Sequence, residues 1–298
     1  MNKLILNSYA KLNLYLEVIN KRRDNYHNIK TVFERIGLSD KIVLESRQDK
    51  QIKIICDNPD VPCDNSNLCY RSAKLLQDNF KVDKGAQIKI VKRIPVGAGL
   101  GGGSSNAAFV LLGLNKLWKL HLSQAKLARL AQKIGSDVAF FIYDSPFAKG
   151  TRRGEKIELL EGLNNLRLWH ILIVPGIKVS TAVIYRKWDT YRKRCVERAG
   201  LTRPEYNVKI TTLALQKKDL GLIGKSLFND LEQVSIKLYP EIRRIKEWLI
   251  HRNVQSILMS GSGPAVFGVV SSRKEAVSLC RQLRRENRSW RVFVVRTV

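Results

Sequence analysis

The chain has 298 residues, of which 53 are Lys or Arg and 26 are Asp or Glu, giving a formal net charge of +27. Hydrophobic residues at 44% and charged residues at 27% are ordinary for a globular protein and exclude wholesale disorder. No window reaches the ~18 apolar residues that a spanning helix needs, so no membrane partner is expected.

Met1-Asn2-Lys3-Leu4 leads into an apolar alternation without a long apolar leader, from which a cytoplasmic location is expected. Leu12, Leu14, Leu16 and Val18 point one way and Lys11, Asn13, Tyr15 and Glu17 the other, the pattern of a half-buried strand. Short strands follow at 42–44 and 52–56, and Asn67 opens a helix carrying Leu68, Ala73, Leu75 and Leu76. A strand at 88–91 runs toward Pro95 and a glycine-rich stretch. Beyond it a helix spans 104 to about 118, and Ser123 caps another that ends near Gly135. The second half opens with an apolar strand at 172–174, stopped by Pro175-Gly176. Helices are expected at 208–216, 218–227 and 238–250. Strands at 254–259, 265–270 and 291–295 complete the chain, with Ser272 and Glu275 spaced as a capping box for the helix before the last. Strands and helices without a strict βαβ repeat indicate α+β. Gly150, Gly154 and Gly162 interrupt the pattern, which suggests domains at 1–157 and 158–298.

Five cysteines, Cys56, Cys63, Cys69, Cys195 and Cys280, are odd in number and match no zinc spacing, so reduced thiols are expected. The basic residues are spread through Lys21-Arg22-Arg23, Arg192-Lys193-Arg194, Arg243-Arg244 and 281–291, with no nucleic-acid-binding motif beside them. The expectation is a solvated basic surface and no specific nucleic-acid partner. A basic nucleic-acid-binding protein stands as the alternative from a different class.

Residues 95–108 read Pro95-Val96-Gly97-Ala98-Gly99-Leu100-Gly101-Gly102-Gly103-Ser104-Ser105-Asn106-Ala107-Ala108. Five glycines in seven positions free the backbone N–H groups to turn toward one ligand, and the following helix presents its positive N-terminus there. That combination suits phosphate. A dinucleotide fingerprint also needs an acidic residue roughly 20 positions on, and none occurs between Gly103 and Asp137. The Walker pattern fails because its first glycine would fall on Asp219, and the His-Arg-Asp and Asp-Phe-Gly signatures of protein kinases are missing.

The stretch resembles the second motif of the galactokinase, homoserine kinase, mevalonate kinase and phosphomevalonate kinase (GHMP) superfamily. Ala10-Lys11-Leu12-Asn13-Leu14 is similar to its first motif, and 259–268, with Gly261-Ser262-Gly263, to its third. Arg23-Asp24-Asn25-Tyr26-His27, Asn67-Leu68, Gly135-Ser136-Asp137-Val138, Val179-Ser180-Thr181 before Tyr185, and Asn229-Asp230-Leu231-Glu232 resemble one branch of it. That branch phosphorylates a cytidylated methylerythritol in non-mevalonate isoprenoid precursor synthesis. Asn25 stands where the branch usually has Gly, and Ser136 and Ala139 replace Ala and Pro. Asn tolerates positive φ better than most residues.

The resemblance implies a two-domain fold, with an N-terminal mixed-sheet nucleotide domain, a C-terminal ferredoxin-like domain and an active cleft between them. It implies ATP as co-substrate, with magnesium. The magnesium ligand is not identified: Ser105 and a chelate by phosphates alone both stay open. Residues 95–105 would hold ATP, and Asn67 and Leu68 would line the adenine pocket. Asn13, Tyr26, His27, Thr181 and Tyr185 would face the substrate, the tyrosines around the base and His27 at its edge. Gly261, Ser262 and Gly263 would close the cleft. Asp137 and Lys11 align with the catalytic pair, a base and the cation that keeps it ionised. A small-molecule partner and a monomer or weak homodimer follow. The nearest alternative is another kinase of the superfamily, of mevalonate or homoserine type, which would have no use for aromatics that stack on a base.

Overall fold

The computed structural model describes residues 3–199 and 207–298; within 193–199 only the backbone course is described. Cys195 and the last two residues of the Arg192-Lys193-Arg194 run therefore lie outside the described side chains.

The first half runs β1 (Lys3–Lys21), β2 (His27–Arg47), β3 (Ile52–Cys56), α1 (Leu68–Asn79), β4 (Gly85–Val91), α2 (Gly102–Leu117), α3 (Gln124–Ile134), β5 (Phe147–Thr151) and β6 (Lys156–Leu159). The rest runs β7 (Trp169–Val174), α4 (Thr181–Ala199), α5 (Val208–Lys217), α6 (Leu220–Ser226), β8 (Phe228–Asn229), α7 (Glu232–Leu238), α8 (Pro240–Ile250), β9 (Ser256–Met259), β10 (Val266–Val270), α9 (Arg273–Glu286) and β11 (Arg291–Arg296). The first sheet is seven-stranded, in the order β3-β4-β2-β1-β8 with β5 and β6 branching from β2; the second is four-stranded, β11-β7-β10-β9. Parallel pairings β3–β4 and β1–β8 make the first sheet mixed, whereas the described pairings of the second are all antiparallel.

The sequence suggests a strand half exposed to water at β1, but both of its faces are covered. Leu12 and Leu14 pack with Leu172 and Phe267 of the second sheet. On the other side Ile42 and Leu44 of β2 meet Ala107, Val110, Leu111 and Leu114 of α2. Alternation reports which residues share a face, not whether a second layer covers the polar one. Polar side chains on β1 thus become site residues under a roof.

Three further expectations are corrected. The helix after the glycines starts at Gly102, two residues before Ser104. Residues 147–159 form a hairpin, β5–β6, rather than an interruption. Helix α4, absent from the sequence reading, buries Ile184 and Trp188. The expected caps are present: Asn67 accepts from the Cys69 N–H, Ser123 from Lys126 and Ser272 from Glu275. Glu275 returns its bond to the N–H of Ser271 instead of Ser272, at 2.9 Å.

The two sheets are joined by buried polar contacts as well as apolar ones. Glu34 Oε1 lies 2.8 Å from His170 Nε2 and accepts from the Thr297 hydroxyl at 2.6 Å. Thr297 in turn accepts from the Leu168 N–H at 2.8 Å.

Candidate active site

A cavity of about 1120 Å³ opens between the glycine stretch, the β1–β2 turn, the start of α1 and the start of α4. Its walls include Lys11, Asn13, Tyr26, His27, Asn67, Leu68, all of 95–104, Asp137, Thr181, Tyr185, Gly261 and Ser262. Residues expected from four separate stretches of sequence therefore meet in one space.

The glycines build one wall. Gly101 is the N-cap of α2 in the left-handed region (φ 67°), and no side chain caps the helix. The first-turn N–H groups are left for a ligand, and no acidic side chain stands in that turn to oppose an anion. Gly99 also has positive φ (76°), and a Cβ there would collide with the Ser260 carbonyl oxygen. The loop is thus moulded against the third motif. Ser260 Oγ donates to the Gly99 carbonyl at 3.1 Å, and the Ala265 N–H to the Ala98 carbonyl at 3.3 Å. Beyond the loop, Lys92 pairs with buried Asp40 and approaches Asn106 Oδ1 at 3.3 Å, while Asn106 Nδ2 donates to Ser8 at 2.8 Å.

Lys11 crosses beneath Gly101, its stem 3.0 Å from where a Cβ on that glycine would sit. Only 3% exposed, Lys11 reaches Asp137 Oδ2 with its ammonium at 3.5 Å. It also donates to Asn13 Oδ1. Burial pushes the Lys11 ammonium below its ordinary value, and the charge and hydrogen bond of Asp137 offset part of that fall. The Asp137 side chain keeps 30% of its surface, so the carboxylate is open to the cavity while its partner is not. Asn13 Nδ2 donates to Thr31 at 2.8 Å, which fixes the amide and, through it, Lys11.

The aromatic end forms around the β1–β2 turn. Asn25 has φ 66°, so the asparagine adopts the left-handed conformation that the turn requires. His27 stacks on Tyr185 with ring centroids 4.8 Å apart, and its Nε2 lies 2.7 Å from Asp189 Oδ1. Burial would raise the Asp189 carboxyl, but hydrogen bonds from His27 and Lys21 outweigh it and hold it below its ordinary value. Burial, then the charges of Asp137 and Asp230, push the Tyr185 phenol upward. Tyr26 is 55% exposed and lies under the Arg153 guanidinium, 5.1 Å from its ring centre. At the opposite rim Asn67 and Leu68 open α1, and the Asn67 side chain bonds the Pro62 carbonyl at 2.6 Å. Thr181 and Ser262 share a hydroxyl contact of 2.8 Å across the mouth.

Two expected residues are not on the wall. Ser105 is fully buried with its hydroxyl 2.8 Å from that of Ser8, which turns it from the cleft and removes it as a metal ligand. Gly263 faces inward, toward Met259. The sequence reading also passed over the brace that holds the third motif. Asn229 donates to the carbonyls of Met259 (2.7 Å) and Gly261 (2.8 Å), and Glu232 accepts from the Met259 N–H at 2.9 Å. The Asn229-Asp230-Leu231-Glu232 stretch marked these residues without stating their work.

A phosphate-gripping loop, a buried lysine beside an open carboxylate and two α/β halves closing over them define a small-molecule kinase of the GHMP class. The GHMP kinases N terminal domain matches residues 67–145, and the GHMP kinases C terminal domain matches 212–289. A 4-diphosphocytidyl-2-C-methyl-D-erythritol kinase of Geobacillus sp. (strain WCH70) is 44% identical over 90% of this chain and 88% of its own. Its counterpart in Acetivibrio thermocellus is 36% identical over 100% of both chains. A crystal structure of 4-(cytidine 5'-diphospho)-2C-methyl-D-erythritol kinase superposes with a TM-score of 0.79 at 29% identity, covering 99% of this chain and 100% of that one. A homoserine kinase from Cytophaga hutchinsonii reaches 0.76 at 16% identity over 100% of this chain and 95% of its own, a likeness of fold alone. The chain belongs to the 4-diphosphocytidyl-2-C-methyl-D-erythritol kinase family.

Proposed function

We propose that this chain transfers the γ-phosphoryl group of ATP to the 2-hydroxyl of 4-diphosphocytidyl-2-C-methyl-D-erythritol, a step of isoprenoid precursor synthesis. One observation carries the reading: the uncapped α2 N-terminus, the Lys11–Asp137 pair and the Tyr26–His27–Tyr185 cluster line one continuous cavity. A substrate without a base would leave the last of these without a use.

The nucleotide's phosphates lie against the amides of 97–104, with adenine toward Asn67 and Leu68. Asp137 accepts the proton of the substrate hydroxyl as the O–P bond forms. Lys11 keeps that carboxylate ionised and faces the charge that builds on the phosphoryl oxygens. Asn13 holds Lys11, Thr181 faces the substrate, and Gly261 and Ser262 close the cleft. In this division of labour 1–157 grips the nucleotide and 158–298 supplies the lid over the substrate.

Among the described residues no cluster of three metal-ligating side chains exists. A magnesium ion carried by the phosphates keeps most of its waters and needs only one or two protein oxygens. Asp137 and Ser104 face the cavity and fit that demand. Bound there, the ion would neutralise phosphate charge. The free thiols Cys56, Cys63, Cys69 and Cys280 fit a reducing cytoplasm, the compartment we assign.

A coupled ATPase assay offering the cytidylated alcohol, mevalonate and homoserine tests this. Turnover is expected with the first alone. Turnover with either of the others in its place would move the chain to another branch. Asp137→Asn should keep nucleotide binding and lose about 10²–10⁴-fold in kcat; a near-normal rate would remove Asp137 as the base.

A further inference from the structure

The cavity wall carries Lys11, Lys21, Lys92, Arg153 and Arg186 as its cations. Three of them are committed to carboxylates: Lys11 to Asp137 at 3.5 Å, Lys21 to Asp189 at 3.1 Å, and Lys92 to Asp40. Arg186 is exposed, near the start of α4. Arg153 differs from all four. Its Nε is buried without a hydrogen-bond partner, and the nearest carboxylate oxygen, Glu155 Oε1, stands 3.7 Å away. A buried guanidinium N–H left unmade is costly, and bidentate acceptors such as phosphate match its fork.

Its place in the cavity is as telling as its vacancy. Arg153 lies in the β5–β6 turn with its guanidinium 5.1 Å from the Tyr26 ring centre. The next residue, Gly154, brings the same turn against the other end of the site, where a Cβ would sit 3.7 Å from Asp137 Oδ1. Arg153 thus stands between the aromatic cluster and the catalytic carboxylate. Glu155 anchors the turn by accepting the Arg153 backbone N–H at 2.7 Å.

We infer that Arg153 binds the diphosphate bridge of the acceptor substrate and sets a preference for nucleoside diphosphate over nucleoside. The inference rests on the substrate reading above. A molecule with a base at one end and a polyol at the other carries its two phosphates in the middle. The middle of this cavity is where the one uncommitted N–H of a half-buried arginine sits. The guanidinium also covers Tyr26, so the same side chain presses on the base platform while it holds the charge.

Competition against the cytidylated alcohol, with cytidine, CMP and CDP as inhibitors, tests it in wild type, Arg153→Gln and Arg153→Lys. Wild type should bind CDP at least about tenfold more tightly than cytidine. Arg153→Gln should lose that ratio, raise KM for the acceptor about tenfold or more and leave KM for ATP unchanged. Arg153→Lys keeps the charge but not the fork, and should restore part of the CDP preference. A CDP-to-cytidine ratio unchanged in both variants overturns the assignment while leaving the kinase reading intact. A wild-type protein that binds none of the three cytidine compounds overturns the substrate reading, and this inference with it. Equal losses for ATP and acceptor would mark Arg153 as structural and also overturn it.

Discussion

Lys11 and Asp137 form an ion pair with unequal partners, and the inequality has consequences for stability as well as chemistry. The ammonium is buried while the carboxylate keeps contact with solvent. Removing Asp137 leaves an uncompensated buried charge; removing Lys11 leaves a carboxylate that water can still reach. Asp137→Asn is therefore expected to lower stability by ~1–3 kcal/mol at neutral pH, whereas Lys11→Met is expected to match or exceed wild type while losing turnover. The pH dependence follows from the lowered Lys11 value, which the loss of Asp137 depresses further. Between that depressed value and the ordinary one of about 10.4, the unfolded chain binds more protons than the folded one, so stability rises with pH. Urea midpoints at pH 7 and pH 9.5 should show the Asp137→Asn deficit shrinking at the higher pH. A deficit that widens would mean the ammonium is not what the aspartate supports.

At the scale of elements, the glycine stretch separates two uses of one residue type. Gly97 and Gly99 both have positive φ (67° and 76°), so alanine at either meets a strained backbone, at a cost of about 1–2 kcal/mol. Around Gly97 a Cβ meets nothing within 4 Å, whereas at Gly99 it strikes the Ser260 carbonyl. Gly97→Ala should thus lower the melting temperature by only a few degrees and act mainly on KM for ATP, because the space beside it is ligand space. Gly99→Ala should lower the melting temperature further and loosen the contact with the third motif. Melting curves with and without ATP separate the two effects; equal destabilisation would show that the loop is not moulded on Ser260. The loop, its helix and the caps at Asn67, Ser123 and Ser272 were legible because backbone chemistry writes them into local sequence. Helix α4 was not, because its buried residues, Ile184 and Trp188, are sparse among charged neighbours. The β5–β6 hairpin hides for a related reason: Phe147–Thr151 carries only two apolar residues in five, and Lys156–Leu159 is mostly exposed. Arg153, at the turn of that hairpin, inherited the silence. The covering of both faces of β1, and with it the burial of Lys11, depends on a sheet that follows more than a hundred residues later.

For the whole molecule, the charge of +27 acts as a single quantity. The acidic side chains are largely engaged: Glu45 with Lys3, Asp83 with Lys50, Glu158 with Lys149, Glu286 with Arg252. The surplus of 53 basic over 26 acidic residues must therefore stand on the surface facing other cations. Pairwise attraction at an exposed bridge is small and decays with distance, whereas repulsion among a large like-signed surplus sums over the molecule. The Debye length shrinks from about 30 Å at 0.01 M salt to about 10 Å at 0.1 M, which screens the long-range sum far more than contacts at hydrogen-bond distance. Raising sodium chloride from about 0.01 to 0.2 M is accordingly expected to raise the melting temperature by several degrees. Chloride suits the test better than phosphate or sulfate, which would also bind the glycine loop and stabilise the fold by mass action. A melting temperature that falls with salt would show that the paired acids dominate, and that the basic excess is spaced widely enough to cost the folded state nothing.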